Sequence, residues 1–271
     1  MRHLRVFAAI LLASTLFTAV TLAQTAAPTA APPTTRPQRA PAPQPSATIP
    51  VIQAGKDRVH QQYVDLVHKG GIDLLFIGDS ITDNMHSADP LHGGKAVWDQ
   101  YYAPLHAANI GIGADRTQNV LWRLQNGELD GFKAKVIVLL LGTNNVTPAN
   151  AAPRAVRNTN ADVVAGMKLV VNEIRTRQPQ AKLILMAIFP RGRTGDDPYR
   201  QPIKEINAEL AKLDDGQNIF YTDINDKFLA PDGSIPMDVM PDQPALHPND
   251  KGYHIWADGI IDKIKSLMAA S

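Results

Sequence analysis

Ser80 stands in "FIGDSITD" (76–83), directly after the apolar run "IDLLF". A serine there is either the cap of the following helix or an exposed nucleophile. A neutral hydroxyl is a poor nucleophile, so the second role needs a base, usually a histidine, and the base in turn needs orienting. His247 in "PALHPNDKGYHIWADGI" is the best candidate base, because it lies in a loop just before a helix and is followed by Pro248 and the cap-like Asn249 and Asp250. Acyl transfer also needs donors for a developing oxyanion. Asn144, in "GTNN" at the end of a strong apolar run, offers a side-chain amide, and the backbone N–H groups of Ser80 and of the turn at Gly113 and Ala114 offer more. "GTNN" is also readable as an Asx turn and nothing else. The remaining histidines (3, 60, 68, 86, 92, 106 and 254) fall in the N-terminal segment, in helical patterns or in polar loops and read as mostly structural. His86 and His92 lack a third ligand, so no metal site is expected. "GIGAD" is not a dinucleotide loop, since Arg116 stands where that fingerprint needs glycine.

The elements that must position these groups are legible as runs. "IDLLFI" (72–77), "AANI" (107–110), "KVIVLLL" (135–141), "KLILMAI" (182–188) and "NIFYTDI" (218–224) have the near-continuous apolar content of strands buried on both faces. Between them lie helical stripes. Val163, Met167, Val170 and Ile174 form one, and Tyr253, Trp256, Ile260, Ile264 and Leu267 form another. Pro179 and Gly216 sit where helix stops belong. Strand alternating with helix predicts an α/β domain with a mainly five-stranded parallel sheet, whose chemistry collects beyond the carboxyl ends of the strands. Trp98 and Phe189 read either as core or as walls on the leaving-group side of the site.

The chain has 271 residues, with 27 basic and 26 acidic side chains and a formal net charge of +1. Without a strong field, neither nucleic acid nor an anionic membrane is the expected partner. Residues 1–23 combine a basic start, a short apolar middle and a small-residue end. This pattern predicts a secretory signal peptide cut after Ala23, with a retained anchor as the competing reading. Secretion or a periplasmic location follows, without stable membrane insertion after cleavage. Residues 24–50, rich in Ala, Pro and Thr, hold too little apolar surface to order themselves and read as an extended linker. One domain is expected over 51–271. The chain has no cysteine, which excludes a disulfide framework and a thiolate-bound zinc.

In this order and spacing, "FIGDSIT", "NIGIGADRTQNVLWRLQNGELDG", "LLLGTNN" and "LHPNDKGY" resemble the four blocks of the SGNH (GDSL) hydrolase superfamily, over roughly residues 57–268. Within it, the chain is similar to the catalytic subunits of platelet-activating-factor acetylhydrolase and their bacterial relatives. The resemblance implies a three-layer α/β/α, flavodoxin-like fold and cofactor-free hydrolysis of small acyl esters, with acetylated saccharide a reasonable substrate for an exported protein. It allows a homodimer. By position it implies Ser80 as nucleophile, His247 as base, and Ser80, Ala114 and Asn144 as oxyanion donors. Two departures stand out. Ala114 replaces the family's usual glycine. The family's acid lies three residues before the histidine, where this chain has Pro244; "MPDQPALH" reads as two extra residues, which makes Asp242 the expected acid and Asp238 the weaker choice. Asp115 and Arg116, beside the oxyanion turn, read either as substrate-orienting groups or as a brace for the loop. The altered spacing also motivates a rival reading, a non-catalytic carbohydrate-binding relative.

Overall fold

A computed structural model describes residues 46–151 and 158–270. The predicted signal peptide and most of the predicted linker lie outside these residues. The last linker residues, 46–50, do not match the expectation of an unordered stretch: Ala47 is fully buried against the domain. The ordered body therefore begins at least four residues before the predicted boundary at 51, because a small apolar side chain there finds a complementary seat.

The chain runs α1 (Asp57–His68), β1 (Leu74–Gly78), α2 (Ser80–Asp83), α3 (Lys95–Tyr101), β2 (Ala107–Asn109), α4 (Thr117–Arg123), β3 (Val136–Leu140), α5 (Asn160–Arg177), β4 (Lys182–Met186), α6 (Arg200–Leu210), β5 (Ile219–Thr222) and α7 (Asp250–Ala269), with short single turns between. All five strands pair in parallel in the order β2-β1-β3-β4-β5. The register aligns Phe76 with both Asn109 and Val138, so β1, β2 and β3 end side by side.

Alternation along the strands divides the core into two layers. Leu75, Ile77, Ile137, Leu139, Leu183 and Leu185 face α4, α5 and α6. Leu74, Phe76, Val138, Leu140, Ile184 and Met186 face α3 and α7. The result is the three-layer α/β/α architecture. The α5 stripe is fully buried at Val163, Met167, Val170 and Ile174, and a capping box between Thr159 and Asp162 starts that helix. In the other layer Trp98 and Phe189 are core residues: Trp98 packs edge-on to Phe76, and Phe189 lies between Phe228 and Trp256. Neither lines a site, since both rings fill the space beneath α7.

Met167→Ala empties a fully buried position between α5 and the sheet. The expected cost is about 2–5 kcal/mol, read as a lower urea midpoint at unchanged m-value.

Candidate active site

Asp79, not Ser80, caps α2. Its Oδ1 accepts the Ile81 N–H at 3.0 Å, and its backbone (φ −102°, ψ −149°) is outside the helical region. The Ser80 hydroxyl is thereby left for other work. It meets His247 Nε2 at 2.9 Å. Burial pushes the Asp79 carboxyl up to about 7, against the pull of the Ile81 N–H. The sharp turn from strand to helix depends on Gly78, where a Cβ would stand 2.1 Å from Thr82 Oγ1 and 2.4 Å from the Leu140 carbonyl. Asn109, at the end of β2, ties the turn down by donating to the Thr82 carbonyl at 2.6 Å. Tyr253 on α7 donates to the Ile81 carbonyl at 2.7 Å.

The loop before α7 carries the other partners. His247 Nδ1 lies 2.8 Å from Asp242 Oδ2, while Asp242 Oδ1 accepts the N–H groups of Leu246 (2.8 Å) and His247 (3.1 Å). Burial raises the Asp242 pKa, but the bonds from the His247 ring and the two N–H groups outweigh it and hold the carboxyl at about 2. Between Asp242 and His247 the Gln243–Pro244 bond is cis and Ala245 has φ +56°. Arg193 clamps this loop from outside, donating to the carbonyls of Ile235 (2.7 Å), Met240 (2.8 Å) and Asp242 (2.9 Å). Asp238 is exposed and pairs with Lys251 at 2.6 Å, so it is not the carboxylate at His247. The His92 ring approaches His247 edge-on, with centroids 5.7 Å apart.

The third part is the turn at 111–115 that follows β2. A Cβ on Gly113 would lie 4.0 Å from Ser80 Cβ, which places this turn against the nucleophile. Nearly every polar group of the turn is held. Gly111 N–H donates to Asn109 Oδ1 (2.8 Å), and its carbonyl accepts the Tyr63 hydroxyl (2.9 Å). Gly113 N–H donates to Asp83 Oδ2 (3.0 Å), and Asp115 N–H to the Ile112 carbonyl (3.1 Å). The Asp115 carbonyl accepts from Asn144 Nδ2 at 2.9 Å, which orients that amide beside the turn. Ala114 has φ +67°, the left-handed region, which an alanine occupies at a cost of roughly 1–2 kcal/mol.

Asp115 is a correction to the substrate-binding expectation. Its side chain has no exposure and its Oδ2 accepts Arg123 Nε at 2.8 Å. Arg123, also buried, pairs through Nη1 with Glu128, which in turn meets His60 Nδ1 at 2.9 Å. A carboxylate facing inward to a guanidinium cannot meet a ligand in solvent; it braces the turn. Arg116 is half-buried and opens α4. Sequence reasoning missed Asp83, Arg123, Glu128 and Arg193. The available signal was charge placed on an apolar face: Arg123 follows Val120 by one helical turn, and both are buried.

Among the described residues, no three His, Cys, Asp or Glu side chains stand close enough to hold a metal, and no helix is long and apolar enough to cross a membrane.

Comparison with known proteins shows the family and the fold. The model of the GDSL-like lipase/acylhydrolase family matches residues 76–255. The platelet-activating factor acetylhydrolase IB subunit alpha2 of Rattus norvegicus is 40% identical over 182 residues, covering 67% of this chain and 71% of that protein. The human subunit alpha1 is 35% identical over 182 residues, covering 67% and 70%. Among solved structures, a GDSL-like lipase from Bacteroides thetaiotaomicron superposes with a TM-score of 0.59 at 14% identity, covering 78% of this chain and 98% of that one. An acetylxylan esterase from Geobacillus stearothermophilus gives 0.52 at 21% identity, covering 72% and 94%. At these identities the superpositions speak for the fold.

Two outcomes are expected from this geometry. Because the folded pKa of Asp242 is depressed, its contribution to stability is present above the ordinary carboxylate value and lost as pH falls toward 2. The stability difference between wild type and Asp242→Asn, followed by denaturant melts from pH 6 down to 2, is expected to shrink over that window. Ala114→Gly relieves the left-handed backbone at the price of a looser unfolded chain, so denaturant melts are expected to place it within about 1 kcal/mol of wild type.

Proposed function

The chain belongs to the GDSL-like lipase/acylhydrolase family, and from that premise we propose that it is an exported serine esterase that removes short acyl groups, acetyl above all, from carbohydrate. The observation that carries the chemistry is the unbroken series Asp242–His247–Ser80, with contacts of 2.8 and 2.9 Å, set beside the 111–115 turn.

In this mechanism His247 Nε2 takes the Ser80 proton as Oγ attacks the ester carbonyl carbon. The carbonyl oxygen gains the negative charge and rests on the N–H groups of Ser80 and Ala114 and on Asn144 Nδ2. As the tetrahedral adduct collapses, the C–O bond to the alcohol breaks and His247 returns its proton to the leaving oxygen. Water then attacks the acyl-enzyme, giving its proton to His247, and Ser80 leaves with that proton while the acid is released. Asp242 holds Nδ1 protonated, which presents Nε2 as the acceptor and stabilises the imidazolium as it forms. With a carboxyl at about 2, Asp242 is fully ionised at neutral pH.

The acetyl preference draws on the acetylhydrolase relatives, and the carbohydrate reading on the acetylxylan esterase of the same fold together with the secretory character of residues 1–23. An exported enzyme meets polysaccharide before it meets intracellular esters. The contact between Asp242 and His247 removes the spacing argument for a catalytically silent carbohydrate-binding protein.

On p-nitrophenyl acetate, Ser80→Ala is expected to lose at least about 10³-fold in kcat, and Asn144→Ala about 10²–10³-fold at nearly constant KM. Turnover is expected to fall from acetate to octanoate, and acetate release from acetylated xylo-oligosaccharides to need Ser80. Turnover that rises with chain length would sink the short-acyl reading, and activity that survives Ser80→Ala would sink the mechanism.

A further inference from the structure

Residues 46–53 lie before the first helix and outside the stretch matched by the family model, yet they run along the start of α4 and finish at the active site. The Ala47 carbonyl accepts the Thr117 hydroxyl at 2.8 Å. A Cβ on Gly166 of α5 would stand 2.5 Å from that same carbonyl, so the glycine makes the seat for the arm. Val51 N–H donates to the Gln118 carbonyl (3.2 Å), and the Val51 carbonyl accepts from Asn119 Nδ2 (3.0 Å). Together these bonds fasten the arm to the first turn of α4, directly after Asp115 and Arg116.

The arm delivers Gln53. Its amide faces two acceptors, Asp115 Oδ1 at 2.7 Å and the Gly113 carbonyl at 3.3 Å, so its nitrogen is the atom set against them. Gly113 C=O and Ala114 N–H belong to one peptide group. That group is planar, with the N–H pointing opposite to the carbonyl, so whatever holds the Gly113 oxygen sets the direction of the Ala114 N–H. The same amide closes the second oxygen of Asp115, whose first is held by Arg123.

We infer that Gln53 is a positioning residue for ester hydrolysis, orienting the Ala114 N–H toward the oxyanion from a segment outside the family's matched region. The inference rests on the esterase reading for its kinetic consequence, but its geometric content stands apart from it. Gln53 touches no substrate; it acts through the peptide group it holds. Part of the bond's effect is polarisation, since a carbonyl that accepts a hydrogen bond makes its own peptide N–H a stronger donor.

The test uses the full chain with Gln53→Ala and Gln53→Glu. Gln53→Ala deletes the donor, and Gln53→Glu keeps the length but sets a carboxylate against Asp115. On p-nitrophenyl acetate both are expected to lower kcat by about tenfold or more while KM stays within about twofold, the mark of an interaction made in the transition state. A purely structural role would instead lower the melting temperature and leave the kcat of the folded fraction unchanged. An independent reading comes from 15N relaxation of the Ala114 amide in a Ser80→Ala background, where Gln53→Ala is expected to lower its order parameter. That arm answers whether or not the chain hydrolyses any ester, while absent Ser80-dependent turnover in wild type would overturn the esterase reading alone. An Ala114 amide as ordered without Gln53 as with it would overturn the inference, as would kcat within twofold of wild type for both variants.

Discussion

The guanidinium of Arg123, taken out of water between Asp115 and Glu128, is the interaction on which the rim beside Ser80 rests. Burial pulls the Arg123 pKa down, and the two carboxylates outweigh it and hold the group above its ordinary value. Burial drives Asp115 the other way, up to about 6, against the opposing charge and hydrogen bond of Arg123. Such a cluster is expensive to assemble and more expensive to break, since removing one partner strands a buried charge at a cost of about 3–5 kcal/mol. Its use is specificity of conformation. With its side chain locked inward, Asp115 presents its carbonyl to Asn144, so one buried residue fixes both the turn after β2 and the amide that follows β3.

The parallel sheet explains why these groups meet at all. The strands β2, β1 and β3 are neighbours, and each ends in a polar turn: 111–115 after β2, Ser80 after β1, Asn144 after β3. Parallel strands put their carboxyl ends on the same edge, so three segments distant in sequence meet there: Asn144 bonds the 111–115 turn, and that turn packs against Ser80. The histidine comes from the far end of the chain; Arg193 holds its loop through the Met240 and Asp242 carbonyls, and Tyr253 ties the following helix α7 to the Ile81 carbonyl. The groups of the rim are held by hydrogen bonds within the chain itself, the kind of preorganisation on which electrostatic catalysis depends.

The loop before His247 shows how a carboxylate five residues away in sequence is brought onto the imidazole. Asp242, five residues before His247, reaches Nδ1 because the intervening chain folds back through Pro244 and Ala245, and Gly192 N–H meets the Pro244 carbonyl at 2.9 Å. What is held constant is the contact between carboxylate and imidazole, and local backbone adapts around it.

Five strands, their parallel pairing, and the polar turns bearing Ser80, Asn144 and His247 were legible in the sequence. A strand buried on both faces must be apolar throughout, and the break to polar residues marks its end; these are local constraints, visible in a window of ten residues. The bonds that hold Asp242 on His247, the inward turn of Asp115, the core positions of Trp98 and Phe189, and the packing of residues 46–53 were not legible in that way. Each depends on which atoms arrive from elements tens of residues or more away: Arg193 behind the Asp242 loop, Arg123 behind Asp115, Trp256 against Phe189, Thr117 and Gly166 beneath Ala47. Residue type sets what a side chain can do, whereas burial and hydrogen-bond partners, which only the folded chain assembles, decide which of those things it does.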